Sequence, residues 1–192
     1  MRYVLLPLVL SFVLPMASAQ QKPLDPAAEL RAAHKLRQDG KRDDALAAYQ
    51  RVANHAKASP HDRGGAALWV AHLLREKGAT GEAARKYAEV SAMTGAHPHD
   101  RGGAQMWSAY LLREQGKNND ALLAYSKVLI IGGAHPNDRG GAQVWIGVLQ
   151  FERGNYDEAR KALQAAANAD AVHPADKQQA QDYLRKMSGA KK

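Results

Sequence analysis

The sequence predicts an all-α protein: an α-solenoid of antiparallel helix pairs, about four repeats long, closed by a C-terminal capping helix. Three observations predict it. A constant interval of 38 residues separates Pro60, Pro98, Pro136 and Pro174, and also Gly40, Gly78, Gly116 and Gly154. Trp69, Trp107 and Trp145 keep the same interval with Tyr183 in fourth place, as do Tyr49, Tyr87 and Tyr125 with Leu163. Between 60–78 and 98–116, 14 of 19 positions are identical, which chance does not produce. Within each interval, apolar residues fall at helical spacing, and strand-like alternation is absent beyond the first twenty residues. Finally, the recurring glycine divides each interval in two, so the unit is a helix pair that buries its apolar faces on its neighbours.

Residues 1–19 are read as a signal peptide. Arg2 is followed by an apolar run from Val4 to Val13, broken only by Pro7 and Ser11, and Ala17-Ser18-Ala19 gives a small-x-small cleavage pattern before Gln20. The run is shorter than the ~20 apolar residues that span a bilayer, and without cysteine it cannot carry a lipid anchor. The chain is therefore expected to be exported, to a bacterial periplasm or outside the cell, and not to span a membrane. Residues 20–26 are expected to form a flexible start and 188–192 a disordered tail. The repeat domain occupies 27–187, with units at about 27–59, 60–97, 98–135 and 136–173 and the cap at 174–187.

The first unit contributes Ala33 and, in its second helix, the stripe Ala45, Tyr49 and Val52. In the second unit Ala66, Trp69, Val70, Leu73 and Leu74 fall at i, i+3, i+4, i+7 and i+8, one continuous helical face. Gly78 ends that helix, Thr80 is a candidate cap for the next, and Ala83, Tyr87 and Val90 form its inner stripe. The third unit repeats this with Ala104, Trp107, Leu111 and Leu112, then Gly116, Asn118, Ala121, Tyr125 and Val128. The fourth has Trp145, Gly154, the candidate cap Asn155, Ala159 and Leu163. HPADKQQAQDYL at 173–184 supplies the terminal helix.

Aligned on the glycine between the helices, the units resemble the tetratricopeptide repeat (TPR) family. Small residues stand where that family packs its first helix closely (Ala33, Ala71, Ala109, Gly147), and Ala45, Ala83, Ala121 and Ala159 match its alanine early in the second helix. The resemblance covers roughly 27–187. It departs in period, 38 against the family's 34, and the four extra residues fall at the junction GAHPHDRGG between one second helix and the next first helix. The resemblance implies a concave face built from the first helices. Its register places Gly65, Leu68, His72 and Arg75, then Gly103, Met106, Tyr110 and Arg113, then Gly141, Val144, Val148 and Phe151 on that face. As a groove this strip suits a peptide with apolar anchors. The alternative is that Leu68, Met106 and Val144 bury against a neighbouring helix. The Lys-and-Asn pattern of the family's carboxylate-clamp members is absent, so chaperone-tail binding is not implied. The tryptophan series is read as core rather than as a ligand platform.

The junction motif reads as a helix start. His97 caps, Pro98 takes the first helical position and Asp100 lies at the positive end of the helix dipole. Asp62, Asp138 and Asp176 correspond to Asp100. Each glycine of the following pair costs about 1 kcal/mol relative to alanine within a helix. Either the longer first helix uses the space to approach the preceding second helix, or a partner's backbone uses it. The terminal copy has Gln178-Gln179 and no unit beyond it, which favours packing. Arg63, Arg101, Arg139 and Lys177 form a repeated basic ladder that suits an anionic polymer, lipid or acidic protein.

With Lys and Arg exceeding Asp and Glu, the formal charge is +8, which favours acidic partners; export argues against nucleic acid. No catalytic constellation, cofactor motif or metal site is expected. His97-Pro98-His99 and His135 give only a weak metal signal, because His99 becomes Asn137 and His97 is matched by Ser59. The sequence therefore predicts a non-catalytic adaptor that binds a protein or peptide on its concave face. The alternative is a structural cell-envelope protein that uses the ladder.

Overall fold

The structure is a computed structural model that describes residues 25–169 and 171–189. The leader, its cleavage after Ala19 and residues 20–24 lie outside the described residues. Among them, nine helices follow in order: α1 (Pro26–Gln38), α2 (Arg42–Ala53), α3 (Pro60–Glu76), α4 (Thr80–Ala92), α5 (Pro98–Glu114), α6 (Asn118–Ile130), α7 (Pro136–Glu152), α8 (Tyr156–Asn168) and α9 (Pro174–Gly189). α9 runs through Ser188 and Gly189, past the boundary expected for the tail. No helix among the described residues is long and apolar enough to cross a membrane.

Each helix packs on the next along the chain, and each odd-numbered helix also touches the next odd-numbered one. This is the α-solenoid of helix pairs that the repeat predicts, with α9 as a ninth, unpaired layer. Its core is a ladder of equivalent rungs, Ala-Tyr-Val in three pairs and Ala-Leu-Ala in the fourth. Ala45, Tyr49 and Val52 of α2, Ala83, Tyr87 and Val90 of α4, Ala121, Tyr125 and Val128 of α6, and Ala159, Leu163 and Ala166 of α8 are all fully buried. Ala33, Ala71 and Ala109 are fully buried opposite them. In the fourth pair Gly147 takes this place, and a Cβ there would lie 2.5 Å from Leu163 Cγ, so the change from Ala to Gly accompanies the change from Tyr to Leu.

The first helices start as the junction motif implies. Ser59 Oγ accepts from Asp62 N at 3.0 Å. The Nδ1 atoms of His97, His135 and His173 accept from the amides of His99, Asn137 and Ala175 at 3.2, 3.1 and 3.3 Å. The extra residues lengthen the first helix: α3, α5 and α7 have 17 residues, and their partners α4, α6 and α8 have 13.

The turn within a pair closes differently from the sequence expectation. Gly78 has φ 81°, and its amide and that of Ala79 bond to Arg75 O and Leu74 O, a Schellman closure. Three residues suffice, so Ala79 and Lys117 become the N-caps and Thr80 and Asn118 fall inside their helices without capping. Asn155 does occupy the N-cap of α8, but no side-chain cap bond forms, and its Nδ2 donates to Gln150 Oε1 at 2.9 Å.

The Gly-Gly pair serves packing, with a different neighbour from the one expected. A Cβ on Gly64 would stand 2.5 Å from Ala96 Cβ, one on Gly102 2.7 Å from Ala134 Cβ, and one on Gly140 2.4 Å from Val172 Cγ2. These contacts lie in the junction that follows the next second helix, not in the preceding second helix. The second glycine is roomier in two copies: a Cβ on Gly65 or Gly103 meets only the carboxylate of Asp100 or Asp138, at 3.5 and 3.6 Å, whereas one on Gly141 would stand 2.9 Å from Met106 Cε, so Met106 packs on α7. Among the described residues no helix pair follows α9, where glutamines stand at 178 and 179.

Candidate functional site: the concave face

The face that the repeat register expects to be concave is assembled from one side of α1, α3 and α5, and its order comes from a repeated four-residue contact. Tyr49 Oη lies 2.6 Å from His34 Nδ1, and Tyr87 Oη lies 2.7 Å from His72 Nδ1. Each tyrosine also stacks on the tryptophan of the following unit, Tyr49 on Trp69 at 6.1 Å and 17°, Tyr87 on Trp107 at 6.1 Å and 14°. Over the same tryptophans lie the guanidinium groups of the preceding unit: Arg37 4.0 Å above Trp69, Arg75 4.2 Å above Trp107 and Arg113 3.7 Å above Trp145. The tryptophans are thus joints between units, half-buried rather than free platforms.

Burial, reinforced by the positive charges of Arg75 and Arg37, lowers the His72 pKa to about 4, so its ring is neutral at physiological pH. Burial raises the hydroxyls of Tyr87 and Tyr125 to about 12, against the opposing effect of Arg75 and Arg113. The third unit breaks the pattern. Tyr110 replaces histidine, Glu114 beside it raises its pKa, and the buried Tyr125 hydroxyl is left without the histidine partner that Tyr49 and Tyr87 have. Tyr87→Phe is therefore expected to cost about 1–3 kcal/mol, because it orphans His72 Nδ1. Tyr125→Phe is expected to change stability by less than about 0.5 kcal/mol. Urea unfolding of both variants checks the difference.

Of the groove residues expected from the sequence, Leu68, His72, Arg75, Met106, Tyr110 and Arg113 are half-buried and stand at matching register positions of α3 and α5. Val144 and Val148 do not join it. Both are buried, at 0 % and 2 % exposure, in the cluster that α7, α8 and α9 share. The capping helix α9 packs on α7 and α8 in that cluster, whereas the matching positions of α3 and α5 stay partly exposed. Two residues not singled out in the sequence belong to the strip: His34 and Arg37, which stand one interval before His72 and Arg75.

The expected basic ladder is uneven. Arg101 is half-buried and its Nε donates to Ser91 O at 3.3 Å; Arg63 is half-buried with an Nε that has no partner; Arg139 is exposed and Lys177 half-buried. These side chains are parts of junctions more than a common surface. At the helix starts a row of imidazoles forms instead, His61 to His97 at 5.4 Å, His97 to His99 at 4.7 Å and His99 to His135 at 5.3 Å between ring centres. Among the described residues, no three His, Asp or Glu side chains are placed to hold one metal ion.

No family model matches the chain, and no curated protein matches its sequence. Solved structures do. A kinesin light chain-like protein of nearly identical TPR-like repeats from Podosopora anserina aligns over 87 % of this chain and 88 % of its own, with TM-score 0.58 and 20 % identity. BtubC (BKLC) from P. vanneervenii aligns over 81 % and 71 %, with TM-score 0.62 and 19 % identity. MamA RS-1, as an ArsTM double mutant, aligns over 77 % and 76 %, with TM-score 0.57 and 19 % identity. At these identities the likeness establishes a TPR-like fold.

Proposed function

We propose that this chain is an exported, non-catalytic TPR-like adaptor whose concave face binds a segment of another protein. The observation that carries the reading is the open strip on α3 and α5. Leu68, Met106 and Tyr110 are only partly buried there, whereas Val144 and Val148 at the same positions of α7 are buried in the cluster shared with α9. A strip that is buried in the last unit and only partly covered in the two before it is apolar enough to take a second chain. TPR-like repeat proteins typically act as scaffolds, which supports this reading. Export rests on the leader sequence alone, and cell fractionation with N-terminal sequencing tests it; recovery of uncleaved chain in the cytoplasm would overturn it.

The strip is tested by capture of partners from an extracytoplasmic extract on immobilised protein. Met106→Asp or Tyr110→Ala is expected to reduce capture about tenfold at physiological salt, while Arg101→Glu leaves it unchanged. Capture that survives both groove changes but collapses on Arg101→Glu, or between low and physiological salt, would transfer the function to the junction arginines and an anionic envelope component.

A further inference from the structure

The second set of arginines points to the chemistry of the partner. Arg37, Arg75 and Arg113 stand near the ends of α1, α3 and α5, one per unit, each lying on the tryptophan of the next unit. Among the described residues none of the three has a carboxylate within 4.0 Å, although seven other pairs meet that distance. The Nε of all three is buried and without an acceptor. Charges so placed are already partly desolvated and held in one rotamer by the ring beneath them, so an incoming anion meets a fork whose entropy is already lost. The series ends at Phe151, which packs against Tyr183 at 5.5 Å instead.

We propose that Arg37, Arg75 and Arg113 form a three-rung ladder for the carboxylates of an extended acidic peptide lying along the concave strip. The inference rests on the concave face being a peptide site, as argued above. Packed helices stand about 8–10 Å apart. An extended peptide rises about 3.3 Å per residue, so one unit corresponds to about three residues and the matching segment carries Asp or Glu at every third position. The residues between them reach the half-exposed Leu68, Met106 and Tyr110. A flat lipid surface does not fit a concave face, and the apolar strip beside the arginines is unsuited to a uniformly charged polymer.

The test is calorimetric titration of the full chain with a nonapeptide that repeats Glu-Ser-Ser, its isomer with the three glutamates contiguous, a peptide repeating Leu-Ser-Ser, and polyphosphate. The spaced glutamate peptide is expected to bind tighter than its isomer, and to weaken about tenfold in Arg75→Gln or Arg113→Gln. Arg75→Lys, which keeps the charge and most of the stacking, is expected to weaken it less; circular dichroism identifies any variant that loses its fold. Equal binding of the two isomers, or binding unaffected by all three substitutions, would overturn the ladder. Polyphosphate binding that depends on the same arginines, without binding of the glutamate peptide, would replace the peptide by an anionic polymer. Binding of the Leu-Ser-Ser peptide that is lost in Met106→Asp, with no binding of either glutamate peptide, would remove the ladder and keep the adaptor.

Discussion

Gly102→Val is expected to destabilise the protein by about 3 kcal/mol or more, and Gly102→Ala by about 1–2 kcal/mol, while Gly103→Ala stabilises it by about 0.5–1 kcal/mol. The three substitutions share one helix and one gain, since leaving glycine in α5 recovers backbone entropy. They differ in what the new Cβ meets. At 102 it lies 2.7 Å from Ala134 Cβ and 3.2 Å from Ala134 Cα, so the opposing backbone must move. At 103 it meets only Asp138 Oδ2, at 3.6 Å, a side chain that can turn aside. Valine at 102 adds two branches to the overlap. Because solenoid units contact only their neighbours, the damage concentrates at the junction between the α5–α6 and α7–α8 pairs, and the unfolding transition should broaden as well as shift. Ala134→Gly removes the first of the two overlapping atoms and should recover part of the loss, a coupling that a double-mutant cycle reads directly. Equal effects at 102 and 103 would show that helix propensity alone governs the pair.

The same glycines show what the sequence carries and where it stops. The 38-residue interval, the Pro-x-Asp starts and the Ala-Tyr-Val stripes name the helices, their faces and their core residues, because these are local properties repeated without interference. Periodicity says that Gly102 is needed but not which neighbour presses on it. The junction before α7 and the helix α4 are both close to α5, and only the three-dimensional stack distinguishes them. The fate of Val144 and Val148 is a similar case: their register is that of Leu68 and His72, yet the terminal helix covers them. Arg37 and His34 were legible, since Arg75 and His72 project back onto them by one interval. The role of the arginines was not, because a stacked guanidinium without a carboxylate leaves no mark in composition.

The second large effect is on acid stability. His72 sits between Trp69, Tyr87 and Trp107, with Arg75 and Arg37 near enough to oppose its protonation. Its folded pKa of about 4 lies below the ordinary 6.5, so the unfolded chain takes up the proton first on acidification. The stability contributed by neutral His72 is thus fully present above pH 6.5 and is lost as the pH falls towards 4. The slope approaches about 1.4 kcal/mol per pH unit, and the total reaches about 3 kcal/mol. His34, lowered by burial and by Arg37, adds in the same direction. Asp100, Asp138 and Asp176 act oppositely: burial raises their pKa values against the pull of nearby histidines, so their protonation favours the folded state at the acid end of the window. The melting temperature should therefore fall most steeply between about pH 6 and 4.5 and then level as His72 itself takes up its proton and the carboxylates titrate. His72→Gln supplies a neutral partner for the Tyr87 hydroxyl and should flatten that fall while lowering the melting temperature at pH 7. A variant whose pH profile still parallels the parent would overturn the assignment of the acid limit to His72.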